Sequence, residues 1–402
     1  MCSYIHSTGL GEFVATNGRL ALVLTGGTGV VAMLVTGCGV GGAGKLASGG
    51  SDTAVTITPA NGTAQVKPDG TIEVKTSGGK LQNVTVQGGG ATITGEFGDG
   101  RKTWRSTRTL TPGTSYTVTA QARDGGKTRT ATSAFTTLKP NGTLSITDVT
   151  PNVTGEKVGI GMPIFVRFNR PVTDKAAVER TLRVTPDKPV EGAWRWLAPD
   201  QVVYRTKTYW QPHQTVRFHA ALAGANAGGG VYGAKDAQAT ISIGAAQITT
   251  GDIGGHHMTV TRDGKKLRTI PFSAGNGQTR EFTTTSGVHL LMEKGNPVTM
   301  TSPGRQEGDA GYYKTVVNYA VRFSNSGEYV HSAPWSVGSQ GSANVSHGCL
   351  NVSPANAKWF YDVVQRGDVI KLTGSDREVE WDNGWSFWQM SFDKWREGSA
   401  LR

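Results

Sequence analysis

Cysteine is nearly absent. Three occur in 402 residues, at positions 2, 38 and 349. The first two belong to the N-terminal stretch, so Cys349 is the lone thiol of the body that follows it. A disulfide within that body has no second partner, and the usual structural role of cysteine is excluded. Dense blocks of Lys or Arg are also missing, although the net charge is +11. Charge spread this evenly argues against nucleic acid and fits an acidic envelope polymer more easily. Stretches with a helical apolar period are few, which argues against a helical fold. No Cys pair or two-carboxylate pattern accompanies His256, His257, His331 and His347. A zinc centre therefore lacks its usual ligand set, and neither metal nor cofactor is expected.

What is abundant is glycine, at 56 residues, with recurrent Thr and Val. That composition favours short strands and many turns. The N-terminus sets the compartment. Arg19 is followed by an apolar run, 20–35, interrupted only by Thr and Gly, which ends in Val35-Thr36-Gly37-Cys38. Residues 1–38 read as a secretory signal. A plain transmembrane anchor is the other reading, and both put the body outside the cell at a membrane. The ending resembles a bacterial lipobox, in which Cys38 becomes the lipidated first residue. Residues 39–51 are a Gly/Ser-rich tether.

The body divides by texture. Residues 52–138 alternate in bursts such as Ala54-Val55-Thr56-Ile57 and Tyr116-Thr117-Val118-Thr119, separated by turns such as Pro68-Asp69-Gly70. This predicts a β-sandwich of immunoglobulin size. Pro140-Asn141-Gly142 marks a boundary, and residues 139–247 predict a second sandwich with one helical turn at 174–180. Trp194, Trp196 and Trp210 are expected in its core or at a domain contact, with a sugar-stacking platform as the alternative. Tandem sandwiches serve as spacers, extending reach without adding chemistry.

Residues 248–373 form a third, β-rich domain. Asp263-Gly264 predicts a hairpin. The polar segment 301–311, ahead of Tyr312 and Tyr313, predicts a mobile lid. Ser353 as N-cap and Pro354 at the first position predict one helix over 354–364. Residues 374–402 carry Trp381, Trp385, Phe387, Trp388, Phe392 and Trp395. That apolar surface is expected to pin the extension onto the third domain.

Ser346-His347-Gly348-Cys349-Leu350-Asn351 is the chemical centre. A thiolate, not a thiol, attacks, so Cys349 needs a proton acceptor. His347 is cramped at two residues' distance. His331, eighteen residues back on an expected neighbouring strand, approaches across the site and is the favoured base. No Asp or Glu lies between His331 and Asn351, so the ring's orienter is a backbone carbonyl, with Ser332 well placed. Amides around Gly348 and Cys349 form an oxyanion hole in this reading, with Tyr313 as a further donor and Trp335 as a wall. By residues alone this is an exported cysteine–histidine acyl-transfer enzyme or peptidase.

The span from His331-Ser332-Ala333-Pro334-Trp335 to Ser346-His347-Gly348-Cys349-Leu350-Asn351 resembles the active-site signature of L,D-transpeptidases. The whole layout resembles the mycobacterial-type members, with an anchor, two immunoglobulin-like domains, a catalytic domain and a Trp-containing extension. The resemblance implies that Cys349 is acylated, that His331 is its base and that the Ser332 carbonyl orients it. It implies that His347, Gly348 and Asn351 shape the site, and that Met300, Trp335, Tyr313, Ser346 and Asn351 meet substrate. The implied reaction is 3→3 cross-linking of peptidoglycan stem peptides, donor to acceptor, with release of D-Ala, and carbapenem β-lactams are implied inhibitors. An L,D-carboxypeptidase and a non-catalytic wall-binding lipoprotein are the alternatives.

Overall fold

Alternating burial along short strands builds all three domains. A computed structural model describes residues 53–89, 93–302 and 305–401. The signal, the tether and Cys38 lie outside the described residues. In the first sandwich, Val55–Thr58, Glu73–Thr76, Thr103–Ser106 and Gly95–Gly98 form one sheet, and Lys80–Gln87, Ser115–Asp124 and Lys127–Thr136 the other. Ser115–Asp124 reads exposed, buried, exposed, buried along its outer half, and its inward Tyr116, Val118, Ala120 and Ala122 fill the core. This is the period of two that a half-buried strand requires.

The second sandwich pairs Lys157–Val158, Ala237–Ile243, Gln214–Ala220 and Leu182–Pro186 against Gly192–Ala198, Gln201–Thr206, Ile164–Phe168 and Ile146–Thr150. Its one helical turn, Lys175–Glu179, is capped by the Asp174 carboxylate, which accepts from Ala177 N at 2.9 Å. Trp194 and Trp210 are buried in the core and Trp196 packs against it, so these rings are packing residues.

The third domain has a five-stranded sheet in the order Lys265–Pro271, His257–Arg262, Gln247–Asp252, Val369–Thr373 and Gly287–Leu290. A four-stranded sheet follows in the order Glu293–Gly295, Ala320–Arg322, Tyr329–Ser332 and Leu350–Val352. Asp263 and Gly264 make the expected hairpin turn with φ of 49° and 78°, the positive values that a two-residue primed turn needs. The helix is Pro354–Val363, with the Ser353 hydroxyl accepting from Asn356 N.

The second sandwich does not stand apart from the third domain: its core continues into that domain through Leu290 and Val369. Backbone meets backbone there: Gly159 N–H donates to the Arg366 carbonyl at 2.7 Å and Gly161 N–H to that of Gly367 at 2.9 Å. A side chain at Gly159 would strike the 367–368 peptide, so the approach depends on glycine. Arg366 adds a bidentate pair with Glu156. The C-terminal extension, expected on the third domain, packs there and reaches the second sandwich as well. Gln389 and Val379 bond to Val288 and Ser286, whereas Trp395 and Phe392 bury against Val203 of the second sandwich. The physical reason is that the sandwich sheet presents Phe165, Ala193 and Leu197, apolar side chains that pack against this cluster.

A cavity of about 630 Å³ opens at the junction of the second and third domains, and Asp368 lines it. Asp368 is 2 % exposed; Oδ2 accepts from Gln247 and the Gln365 amide, while Oδ1 has no partner among the described residues. Burial pushes its pKa up to about 7. The folded state thus holds this proton more tightly than the unfolded chain, and stability falls as pH rises from roughly 4 through 7. Asp368→Asn removes the charge. Thermal melts should show the variant ahead of the parent at pH 8, by on the order of 2–4 kcal/mol, with the gain shrinking toward pH 4. An equal effect at both pH values would contradict a buried ionised carboxylate.

Candidate active site

Two parallel strands assemble the site. Val330 pairs with Leu350, His331 with Asn351 and Ser332 with Val352. Val330, Leu350 and Val352 are fully buried in the domain core. Alternation then sends His331 and Asn351 to the other face, and Cys349, one step before Leu350, shares it. His331 is 3 % exposed, and its Nδ1–H donates to the Ser332 carbonyl at 2.9 Å. That bond fixes the tautomer and leaves Nε2 as the acceptor. Burial lowers the His331 pKa against the opposing pull of the Ser332 carbonyl, so the ring is neutral near pH 7.

Cys349 is half-buried on this face. Its Sγ lies 3.7 Å from the Gly327 carbonyl, and the Tyr329 backbone N–H points at the sulfur. Burial pushes the thiol up to about 12, opposed by the Tyr329 amide, with the Glu328 carboxylate adding to the rise. At rest the thiol and the imidazole on this face are both neutral.

Gly348 has φ of 122°, a region that favours glycine, and its carbonyl accepts from Thr284 Oγ1 at 2.7 Å. Its amide is not the free oxyanion donor expected from the sequence. It donates to Ser346 Oγ at 3.1 Å, and that hydroxyl in turn donates to the Cys349 carbonyl at 2.6 Å. The Ser346 hydroxyl folds back into this turn and occupies the donor. Ser346 is itself buried and holds the turn rather than facing solvent.

His347 is exposed, stacked 4.9 Å from Tyr313 and edge-on 4.5 Å from Phe282. Tyr313 belongs to the lid, whose backbone it closes: Tyr313 N–H donates to Ser302 Oγ at 2.8 Å. Arg305 pairs with Glu281 and lies 5.2 Å over the Phe282 ring, tying the lid across His347. Residues 303 and 304 of the lid lie outside the described residues. Met300 is half-buried on the ribbon Val298–Thr301, opposite Thr315 and close in sequence to Tyr313. On the other flank Trp335 is 60 % exposed, its ring 6.1 Å from that of His331. Asn351 Nδ2 donates to Ser336 Oγ at 3.2 Å and so steadies the turn that carries Trp335.

The sequence reading missed Phe282, Thr284, Thr285 and Glu328. The hydroxyl run Thr283-Thr284-Thr285-Ser286 was the available signal. Among the described residues no group of three metal-ligating side chains occurs.

Fold and site together define a β-rich domain that presents a histidine–cysteine pair on one sheet face, behind two immunoglobulin-like sandwiches. Comparison with known proteins narrows this. Residues 247–372 match the L,D-transpeptidase catalytic domain, and residues 63–226 match a bacterial Ig domain. L,D-transpeptidase 2 of Mycobacterium tuberculosis is 34% identical over 350 residues, covering 86% of this chain and 85% of that protein. L,D-transpeptidase 5 of the same organism is 34% identical over 356 residues, covering 86% and 77%. Among solved structures, an L,D-transpeptidase in complex with imipenem is 38% identical, covering 57% of this chain and 99% of that one, at a TM-score of 0.49. The chain belongs to the L,D-transpeptidase family.

Proposed function

We propose that this protein forms 3→3 peptidoglycan cross-links through a Cys349 thioester. The observation that carries the reading is the His331 Nδ1–Ser332 carbonyl bond, which leaves Nε2 as a base on the face shared with Cys349. His331 takes the thiol proton as Sγ bonds to the carbonyl carbon of the third stem residue. The Cys349 amide, which makes no hydrogen bond among the described residues, is the donor left for the oxyanion. The C–N bond to terminal D-Ala then breaks, and His331 returns the proton to the leaving amine. An acceptor side-chain amine attacks the thioester, passes its proton through His331 to the sulfur and leaves the cross-link.

His347, Tyr313 and Met300 line the donor side in this proposal, and Trp335 walls the other. Cys38 carries the lipid that holds the protein on the outer face of the cell membrane. Imipenem and other carbapenems acylate Cys349 by opening the β-lactam. The test is mass spectrometry with tetrapeptide donor, acceptor stem and imipenem. The parent should yield cross-linked dimer, free D-Ala and an imipenem adduct, and Cys349→Ala should lose all three, a drop of at least roughly 10⁴-fold in turnover. Tripeptide without dimer would mean that water is the acceptor and the protein is an L,D-carboxypeptidase. Adduct on the Cys349→Ala protein would refute the nucleophile and reopen the wall-binding reading.

A further inference from the structure

Glu328 lies directly before the strand Tyr329–Ser332 and is 3 % exposed. No Lys, Arg or His pairs with it among the described residues. Neutral donors hold it instead. Oε1 accepts from the Thr285 amide at 2.7 Å and from Thr285 Oγ1 at 2.9 Å. The single Thr285 hydroxyl proton is shared with Oε2, 3.0 Å from Oγ1, and Oε2 accepts from Ser326 Oγ at 3.0 Å. Its own amide donates to Ser324 Oγ at 3.1 Å, and its carbonyl accepts from Phe323 N at 3.0 Å. Asn383, from the C-terminal extension, closes the turn from outside by bonding both the amide and the hydroxyl of Ser326.

The turn fixed in this way is the one that touches the thiol. Gly327, with φ of 92°, presents its carbonyl 3.7 Å from Cys349 Sγ, and the Tyr329 amide points at the same atom. Glu328 is the residue between them. Burying a carboxylate without a counter-ion costs stability unless every lone pair is met, so a buried charge held only by hydroxyls and amides beside a nucleophile calls for a role. The titratable groups around it are the Cys349 thiol in front and His289 behind. His289 is fully buried, shares Thr285 as a hydrogen-bond neighbour, and has no partner for Nδ1.

We propose that Glu328 is a positioning residue for the nucleophile: its carboxylate locks the turn whose Gly327 carbonyl and Tyr329 amide bracket the Cys349 sulfur. The proposal rests on the cysteine mechanism above. It adds a carboxylate to a site whose sequence offers none between His331 and Asn351.

The test compares Glu328→Gln, which keeps one carbonyl oxygen for Thr285, with Glu328→Ala, which keeps none. With imipenem as probe, Glu328→Ala should lower the maximal acylation rate roughly 10- to 100-fold at an unchanged half-saturating concentration, and Glu328→Gln should recover to within about threefold of the parent. Iodoacetamide alkylation of Cys349 across pH gives a second reading that needs no transpeptidase activity. Both variants lose the negative charge that opposes the thiolate, but only the glutamine keeps the Tyr329 amide aimed at sulfur. The alkylation midpoint of Glu328→Gln should therefore lie at lower pH than that of Glu328→Ala. Coincident midpoints, or an alanine variant that acylates at the parent rate, would overturn the proposal. Should Glu328→Ala fail to fold, Ser326→Ala loosens the same turn and is expected to slow acylation about 3- to 10-fold; a parent-like rate there also overturns it. If the parent alkylates but takes no imipenem, the transpeptidase reading fails while the midpoint comparison still decides the role of Glu328.

Discussion

Replacing His331 with glutamine should lower imipenem acylation of Cys349 by about 10²–10⁴-fold near pH 7, the usual worth of a positioned general base. The pH dependence should change as well. With the thiol pushed up to about 12, thiolate is a scarce fraction at pH 7. Without a base, attack depends on that fraction, so the residual rate of His331→Gln should climb roughly tenfold per unit over about pH 7 to 9. The parent should behave differently. Burial lowers the His331 pKa below its ordinary value of 6.5, so the ring is already neutral at pH 7. Its acylation should be flat above about pH 7 and fall on acidification, as imidazolium replaces the base. Stopped-flow acylation at several pH values measures both slopes. A variant whose rate is flat and within threefold of the parent would move the base elsewhere, and His347 would be the next residue to change.

The same histidine shows which parts of the site a sequence discloses. The Ser-His-Gly-Cys run, the Ser353-Pro354 cap and the Asp263-Gly264 turn are local: their geometry is set by neighbours within four residues. The placement of His331 on a strand beside that of Cys349 was also legible, because strand alternation is a local rule even when the pairing is not. Glu328 was hidden for the opposite reason. It lies just outside the interval between His331 and Cys349, and its meaning depends on Thr285, 43 residues earlier. The occupied Gly348 amide was hidden too. The Ser346 hydroxyl turns back to the chain, where it accepts from the Gly348 amide in a turn with φ of 122° at Gly348, and spacing does not state that. The aromatic extension was half legible. Six large rings in a short segment announce buried surface, but the face that receives them lies about two hundred residues away at Ala193 and Arg205.

Trp395→Ala should be the most destabilising single change in the extension. Trp395 is fully buried; its Nε1–H donates to the Ala193 carbonyl at 2.9 Å and its ring lies 5.2 Å from that of Phe387. Arg205 supplies the other half of the contact. Its guanidinium sits 4.9 Å over Trp388, 5.0 Å over Trp395 and 5.6 Å over Phe392, and it donates to the Met390 carbonyl at 2.7 Å. No carboxylate pairs with it among the described residues, so the aromatic faces and that carbonyl are what hold the charge. Truncating Trp395 leaves a cavity, removes the indole hydrogen bond to the Ala193 carbonyl and takes one of three rings from Arg205. Large-to-small changes of this kind cost about 3–5 kcal/mol. Calorimetry should show the loss, and Leu401→Ala, at an exposed position, should show little. Acylation below the transition should stay within about threefold of the parent, because the His331–Cys349 pair rests on the separate core built from Val330, Leu350 and Val352. A Trp395→Ala protein that melts with the parent would mean the extension contributes no grip. One that folds but loses acylation would mean that the second sandwich, through Leu290 and the Gly159–Arg366 contact, sets the geometry of the site.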